Sequence, residues 1–144
     1  MSYMFQGAKE FNQPLQWNTA RLKISEGMFR GATSCNQPLV WNVSSLKNSK
    51  EMFSGATAFS RPLVWNVSSL RDARRMFHNA RSFSQRLTWY CRRDVRTDNI
   101  LDGPYGTINL WRPTGLWGPY GPVEWDWVVL ESSPLHAVYP EKEE

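Results

Sequence analysis

The sequence predicts an α/β solenoid, a stack of about four strand-plus-short-helix rungs over residues 1–103, followed by a Trp-rich tail over residues 104–144. Three observations carry this. A 24-residue unit recurs almost without slippage, marked by Met-Phe-x-(Gly/Asn)-Ala at residues 4–8, 28–32, 52–56 and 76–80. Apolar columns run through the units: Phe11, Cys35, Phe59 and Phe83; Leu15, Leu39, Leu63 and Leu87; Trp17, Trp41, Trp65 and Trp89. Within a unit the apolar spacing changes from two to between three and four. A fixed period in this range signals stacking, because one unit alone cannot bury its apolar face and needs neighbours above and below.

The strand of each rung is read from Leu39-Val40-Trp41-Asn42-Val43, where Leu39, Trp41 and Val43 share one face and Val40 and Asn42 the other. Leu63 to Val67 repeats it, Leu15 to Thr19 is a polar-ended version, and Leu87 to Cys91 is a fourth. Pro14, Pro38 and Pro62 stand directly before the strands, where a missing N–H does least harm. The Trp column is expected to be core.

Ser44-Ser45 and Ser68-Ser69 follow the strands and are of the type that caps helix N-termini, so a short helix is predicted from about Leu46 to Phe53. Leu46, Ser49, Phe53 and Ala56 would form its inner side, with Lys47, Lys50 and Glu51 opposite. Gly7, Gly31 and Gly55 give way to Asn79 in the fourth unit. Asn is the next most tolerant residue of the left-handed region, which predicts a positive-φ helix C-cap in this column.

The fourth unit frays after Trp89, yet Ile100-Leu101-Asp102-Gly103 returns at the register of Met-Phe-x-Gly. Residues 92–103 are therefore expected to be a divergent closing helix. Beyond them Gly103-Pro104-Tyr105-Gly106 recurs as Gly118-Pro119-Tyr120-Gly121, two turn signals. Val123, Trp125, Trp127 and Val129 alternate with Glu124, Asp126, Val128 and Leu130, which predicts a strand. This tail is expected to cap the last rung or to dock on a partner through Trp111, Trp117, Trp125 and Trp127. The first rung, with three residues before Met4, has an open apolar edge that the tail, a second copy or another subunit would cover.

Net charge +4 is unevenly spread: residues 1–27 sum to +1, 28–51 to +2, 52–75 and 76–99 to +3 each, and 100–144 to −5. A solvated body with a solubilising tail accounts for this; masking of a basic patch by Glu141, Glu143 and Glu144 is the alternative. Cys35 and Cys91 replace apolar residues at different phases of the repeat, and read as small buried hydrophobes, not a bridge or metal site. No run of 18 apolar residues and no charged n-region with an apolar h-region is present, so neither a membrane-spanning helix nor a signal peptide is expected. The compartment stays undetermined.

The pattern M-F-x-G-A-x-x-F-N-Q-P-L-x-x-W-N-V-S-x-L runs across Met28 to Leu46, with Cys35 in place of Phe and one residue fewer between Leu39 and Trp41. It resembles the BspA-like repeat of bacterial surface lipoproteins, known also from mycoplasma lipoproteins. The resemblance covers about residues 4–91 and implies a leucine-rich-repeat-like solenoid, in bacteria associated with surface display and adhesion, without enzymatic activity or cofactor. Ser25, Ser49 and Ala73 stand where that family commonly places a further Met, so this side of the core is expected to be thinner. Lipoprotein and anchoring segments are not expected from the residues of this sequence, so the surface location that the resemblance implies gains no support from them.

An enzyme reading finds little support: His78 and His136 have no nucleophile at a meaningful spacing, and no phosphate loop or metal-ligand cluster is present. Asn42-Val43-Ser44 and Asn66-Val67-Ser68 match the glycosylation acceptor pattern, but the repeat already explains them. A nucleic-acid or polyanion binder would rest on Arg71, Arg74, Arg75, Arg81, Arg86, Arg92, Arg93 and Arg96, against the acidic tail and internal Trp. The favoured expectation is a non-catalytic protein–protein interaction or scaffold module, either an accessory subunit of a larger assembly or an adhesin-like surface protein. Its contact surface would be the outward strand face, Gln16, Asn18, Val40, Asn42, Val64, Asn66, Thr88 and Tyr90, together with the tail Trp residues. Val40 and Val64 are apolar where a solvated strand would prefer polar residues.

Overall fold

In each unit the backbone amides alternate between two destinations, and this decides the architecture. In the computed structural model, which describes residues 1–102, 106–113, 117–119, 121–122 and 125–131, the segment predicted to be helical bonds within itself only at every second residue. Met52 N–H donates to Ser49 O, Ser54 N–H to Glu51 O and Ala56 N–H to Phe53 O. The intervening amides leave the unit: Glu51 N–H donates to Arg74 O, Phe53 N–H to Met76 O and Gly55 N–H to His78 O, at 2.7–3.0 Å. An α-helix needs every amide to bond four residues back along its own segment. Half of these donors are committed to the next unit, so a run of turns forms in place of the helix.

Accordingly no helix occurs among the described residues, and the strand-plus-helix solenoid predicted from the sequence does not form. The predicted closing helix over residues 92–103 is likewise turns. Its register is kept, however: Phe77 N–H donates to Ile100 O and Asn79 N–H to Asp102 O, and Ile100 and Leu101 are buried below Met76 and Phe77. Gly103 lies outside the described residues.

Two backbone positions per unit adopt positive φ. One is the expected column, Gly7, Gly31, Gly55 and Asn79 at 73°, 72°, 73° and 60°. It serves a turn, not a helix cap. The other, at Tyr3, Gly27, Glu51, Arg75 and Asn99, lies between 57° and 60°. Two left-handed residues four apart interrupt any helical run.

The units superpose face to face through their side chains. Phe5, Phe29, Phe53 and Phe77 stack with ring centroids 5.5 Å apart. Trp17, Trp41, Trp65 and Trp89 stack at 6.2–6.4 Å. Met28, Phe29, Phe53, Phe59, Phe77 and Phe83 are fully buried, and Trp41, Trp65 and Trp89 are at most 6% exposed. Among the described residues the first unit is covered on one side only, with Phe5, Phe11, Leu15 and Trp17 half-buried and Met4 exposed. Ser25 and Ser49, also fully buried, donate to the sulfurs of Met52 and Met76 at 3.2 and 3.3 Å.

Of the four predicted strands only the last forms, as β1 (Arg86–Tyr90). The other three keep the alternating burial without a backbone ladder. Among the described residues no backbone hydrogen bond joins these segments from unit to unit, and their indoles stack with centroids 6.2–6.4 Å apart. The indoles supply the missing link: Trp41 Nε1–H donates to Leu15 O, Trp65 to Leu39 O and Trp89 to Leu63 O, each at 3.0 Å.

Where the next element is not another repeat, a sheet becomes possible. β2 (Thr107–Pro113) pairs in parallel with β1, and β5 (Trp125–Glu131) pairs antiparallel with β2, giving a mixed sheet of order β1-β2-β5. Residue 86 pairs with 107, an offset of 21 rather than 24, which sets Leu110 opposite Trp89 in place of a fifth Trp. Ile108 and Leu110 are buried in the same core. The chain enters β2 at Gly106, where a Cβ would meet the Phe83 ring at 2.6 Å and Gln85 O at 2.9 Å. A two-stranded hairpin, β3 (Trp117–Gly118) with β4 (Gly121–Pro122), lies between. The strand predicted around Val123 to Leu130 is β5. Val123, Glu124, Tyr120, Pro104, Tyr105 and the terminal Glu141, Glu143 and Glu144 lie outside the described residues, as does His136.

Candidate interaction surface

The outward column of the alternating segments consists of Gln16, Val40, Val64 and Thr88, all exposed. Their neighbours Leu39, Trp41, Leu63 and Trp65 turn inward because the core needs their area, and alternation then sends the intervening residues out. Val40 and Val64 are each 94% exposed, the most exposed of the large hydrophobic residues described. Among the described residues no hydrogen bond or ring contact involves them.

Asn18, Asn42, Asn66 and Tyr90 form the second outward column. The three Asn have a structural task. Asn42 Oδ1 accepts from Ser44 N–H at 3.0 Å and from Ser44 Oγ at 2.7 Å, while Asn18 and Asn66 accept from Ala20 N–H and Ser68 N–H. These are Asx turns that end each outer segment. Tyr90 stacks on Trp111 with centroids 6.2 Å apart, the two being paired across β1 and β2. Trp111 is half-buried. Trp117 belongs to β3 and Trp125 and Trp127 to β5, with Trp127 opposite Trp111, but their side chains lie outside the description. The structure thus brings eight of the predicted residues to one outer surface and places Trp111 at its end.

Sequence reasoning missed a polar ladder. Asn36 N–H donates to Asn12 Oδ1, Ser60 N–H to Asn36 Oδ1 and Ser84 N–H to Ser60 Oγ. Gln37 Nε2, Arg61 Nε and Gln85 Nε2 donate to the backbone carbonyls of Asn12, Asn36 and Ser60. The recurrence of Asn-Gln-Pro was its signal: these side chains stitch one unit to the next where backbone bonds are lacking.

The basic residues expected to form one patch divide into two kinds. Arg74 is held by Asp72 at 2.9 Å, Arg75 lies 3.8 Å from Glu51, and Arg92 lies 2.9 Å from Asp94. Burial opposes ionisation of Asp72, but the Arg74 side chain and amide together outweigh it and hold the carboxyl below its usual range. Arg71, Arg81, Arg86, Arg93 and Arg96 are exposed, without an ion pair among the described residues.

His78 sits with Nδ1 3.0 Å from Asp102 Oδ2 and Nε2 3.3 Å from the Arg75 guanidinium. Cys35 and Cys91 are buried, and burial pushes the Cys35 thiol up. A cleft of about 200 Å³ lies between residues 97–102 and β5, lined by Ile100, Leu101, Val129 and Leu130 with Asp102 and Glu131 at its edge. Ligand pockets usually run from about 300 Å³ upward. Among the described residues no group of three His, Cys, Asp or Glu could hold a metal ion, and no helix is long and apolar enough to cross a membrane.

No curated protein and no solved structure matches this chain. A family model does, over residues 1–95, which is the repeat region with its Met-Phe, Trp and Asn-Gln-Pro columns. The chain belongs to the family described as "Mycoplasma protein of unknown function, DUF285".

Proposed function

We propose that the protein is a non-catalytic protein–protein interaction or scaffold module that engages its partner through the Gln16, Val40, Val64 and Thr88 column. The observation that carries this is the pair of valines, 94% exposed and one repeat apart on a regular surface. Single exposed apolar residues are ordinary. Here the same position is apolar twice in succession, on a face whose other outward column is accounted for by its Asx turns. The flanking Asn amides and the Tyr90–Trp111 stack would give the contact a polar rim and an aromatic end, the usual composition of an interface. We read the 24-residue unit as BspA-like, a reading consistent with the family match over residues 1–95. Within it, an accessory subunit of a larger assembly is preferred to an adhesin, because the apolar column is narrow and suits a fixed partner better than a varied surface.

A photo-crosslinking residue at position 40 or 64 tests the proposal, with position 81, also exposed, as control. Adducts of one discrete mass are expected from 40 and 64 only, and Val64→Asp should abolish the adduct formed from position 40. Equal labelling from position 81, or no discrete adduct from either valine position, would overturn the reading.

A further inference from the structure

The turns that follow the outer segments carry cations in a row. Lys23, Lys47 and Arg71 occupy one column, all exposed. Their backbones are pinned one above the other, Lys47 N–H donating to Lys23 O at 2.8 Å and Arg71 N–H to Lys47 O at 2.9 Å. Parallel bridges Ile24↔Asn48, Asn48↔Asp72 and Asp72↔Arg96 extend the register along the same edge. Arg21, Arg93 and Arg96, exposed at the two ends, lengthen the row to six cations.

None of the six makes an ion pair among the described residues. The carboxylates beside them, Asp72 and Asp94, are paired with Arg74, which lies off the ridge, and with Arg92, which lies within it. On a neighbouring edge the same repeat does the opposite: Arg30, Glu51 and Arg75 alternate in sign from unit to unit, at 3.4 and 3.8 Å. The repeat can therefore neutralise its columns, and in this one it stacks like charges that repel. A row of repelling cations at repeat spacing is complementary to a linear polymer bearing regularly spaced anions.

We propose that this ridge binds a linear anionic polysaccharide carrying sulfate or carboxylate groups. Two observations favour a polysaccharide over a single-stranded nucleic acid. The ridge, residues 20–24, 44–48, 68–72 and 92–96, contains no aromatic residue, whereas single-stranded nucleic acid is held largely by base stacking on aromatic side chains. Between the cations stand Ser45, Ser68 and Ser69, whose hydroxyls suit a polymer rich in hydroxyl groups. The ridge is distinct from the valine column and does not depend on it.

Heparin affinity of the full chain tests this, measured as a function of salt for wild type, for a ridge triple Lys23→Gln/Lys47→Gln/Arg71→Gln, and for an off-ridge triple Arg30→Gln/Arg81→Gln/Arg86→Gln of the same charge. Counterion release at about 0.7–0.9 per contact predicts that the slope of log affinity against log salt falls by roughly two for the ridge triple. The off-ridge triple should match wild type. Equal weakening by both triples would reduce the effect to net charge and overturn the proposal, as would no binding at low salt. A single-stranded DNA of equal charge that binds as tightly as heparin would assign the ridge to nucleic acid instead.

Discussion

Replacing Trp65 by Phe removes the link that substitutes for a backbone ladder, and the structure allows its cost to be worked out. Trp65 is 6% exposed, stacked between Trp41 and Trp89 at 6.4 Å on each side, and its Nε1–H donates to Leu39 O at 3.0 Å. Loss of the donor leaves a buried carbonyl unsatisfied, at about 1–2 kcal/mol. The smaller ring leaves a void in a column that cannot close up, because the Phe side of the stack is held by unit-to-unit backbone bonds. That adds about 1–2 kcal/mol, as for other modest core truncations. The sum, about 3 kcal/mol, corresponds to a fall in Tm of roughly 6–12 °C for a chain near 150 residues. Trp17→Phe is the internal control. Trp17 is half-buried, stacks on Phe5 of its own unit and on one neighbouring indole, and among the described residues its indole makes no hydrogen bond to another unit, so its cost should be about 1 kcal/mol or less. Scanning calorimetry on both variants reads the difference directly. Equal shifts would refute the claim that the indole N–H joins the units.

Two further outcomes follow from the backbone and the charges. Asn79 has φ 60°, so Asn79→Val should destabilise by about 1–2 kcal/mol, the cost of a left-handed L-residue with a branched side chain, while Asn79→Gly should be close to neutral; calorimetry showing no loss for Val would remove the constraint. The Asp72 carboxyl is held below its usual range, so its contribution is present above the ordinary Asp pKa of about 3.9 and is lost as pH falls through its lowered value. Asp72→Asn should therefore be less stable than wild type at neutral pH, and the gap between their urea midpoints should close in strong acid. A gap that does not depend on pH would locate the effect elsewhere.

The helix over residues 46–53 was misread for a specific reason. Apolar residues at three-to-four spacing mark one face of a helix, but Leu46, Ser49, Phe53 and Ala56 also turn inward along a chain of turns. Periodicity records which side chains face the core, not where the amides go. Gly27 was the one visible sign of the second left-handed column, since Tyr3, Glu51, Arg75 and Asn99 occupy it without being Gly. The strands failed for the opposite reason. Their alternation was real, and the burial of Leu39, Trp41 and Val43 followed it, but indole N–H bonds and not backbone bonds link these segments from unit to unit. Val40 and Val64 were legible as outward residues, whereas the Asn column beside them was not recognisable as a set of Asx turns before Ser44 and Ser68 were placed.

By itself the sequence determined the 24-residue period, the columns that enter the core and the left-handed position at Gly7, Gly31, Gly55 and Asn79, because each depends on residue type at a position in one unit. Tertiary structure alone decided the destination of every second amide, the replacement of strand ladders by indole and Asn-Gln bonds, and which cations are paired. Those outcomes depend on the distance between units, which bulky stacked side chains and backbone bonds set jointly. The same distance turns Lys23, Lys47 and Arg71 from three scattered charges in the sequence into a continuous row on the molecule.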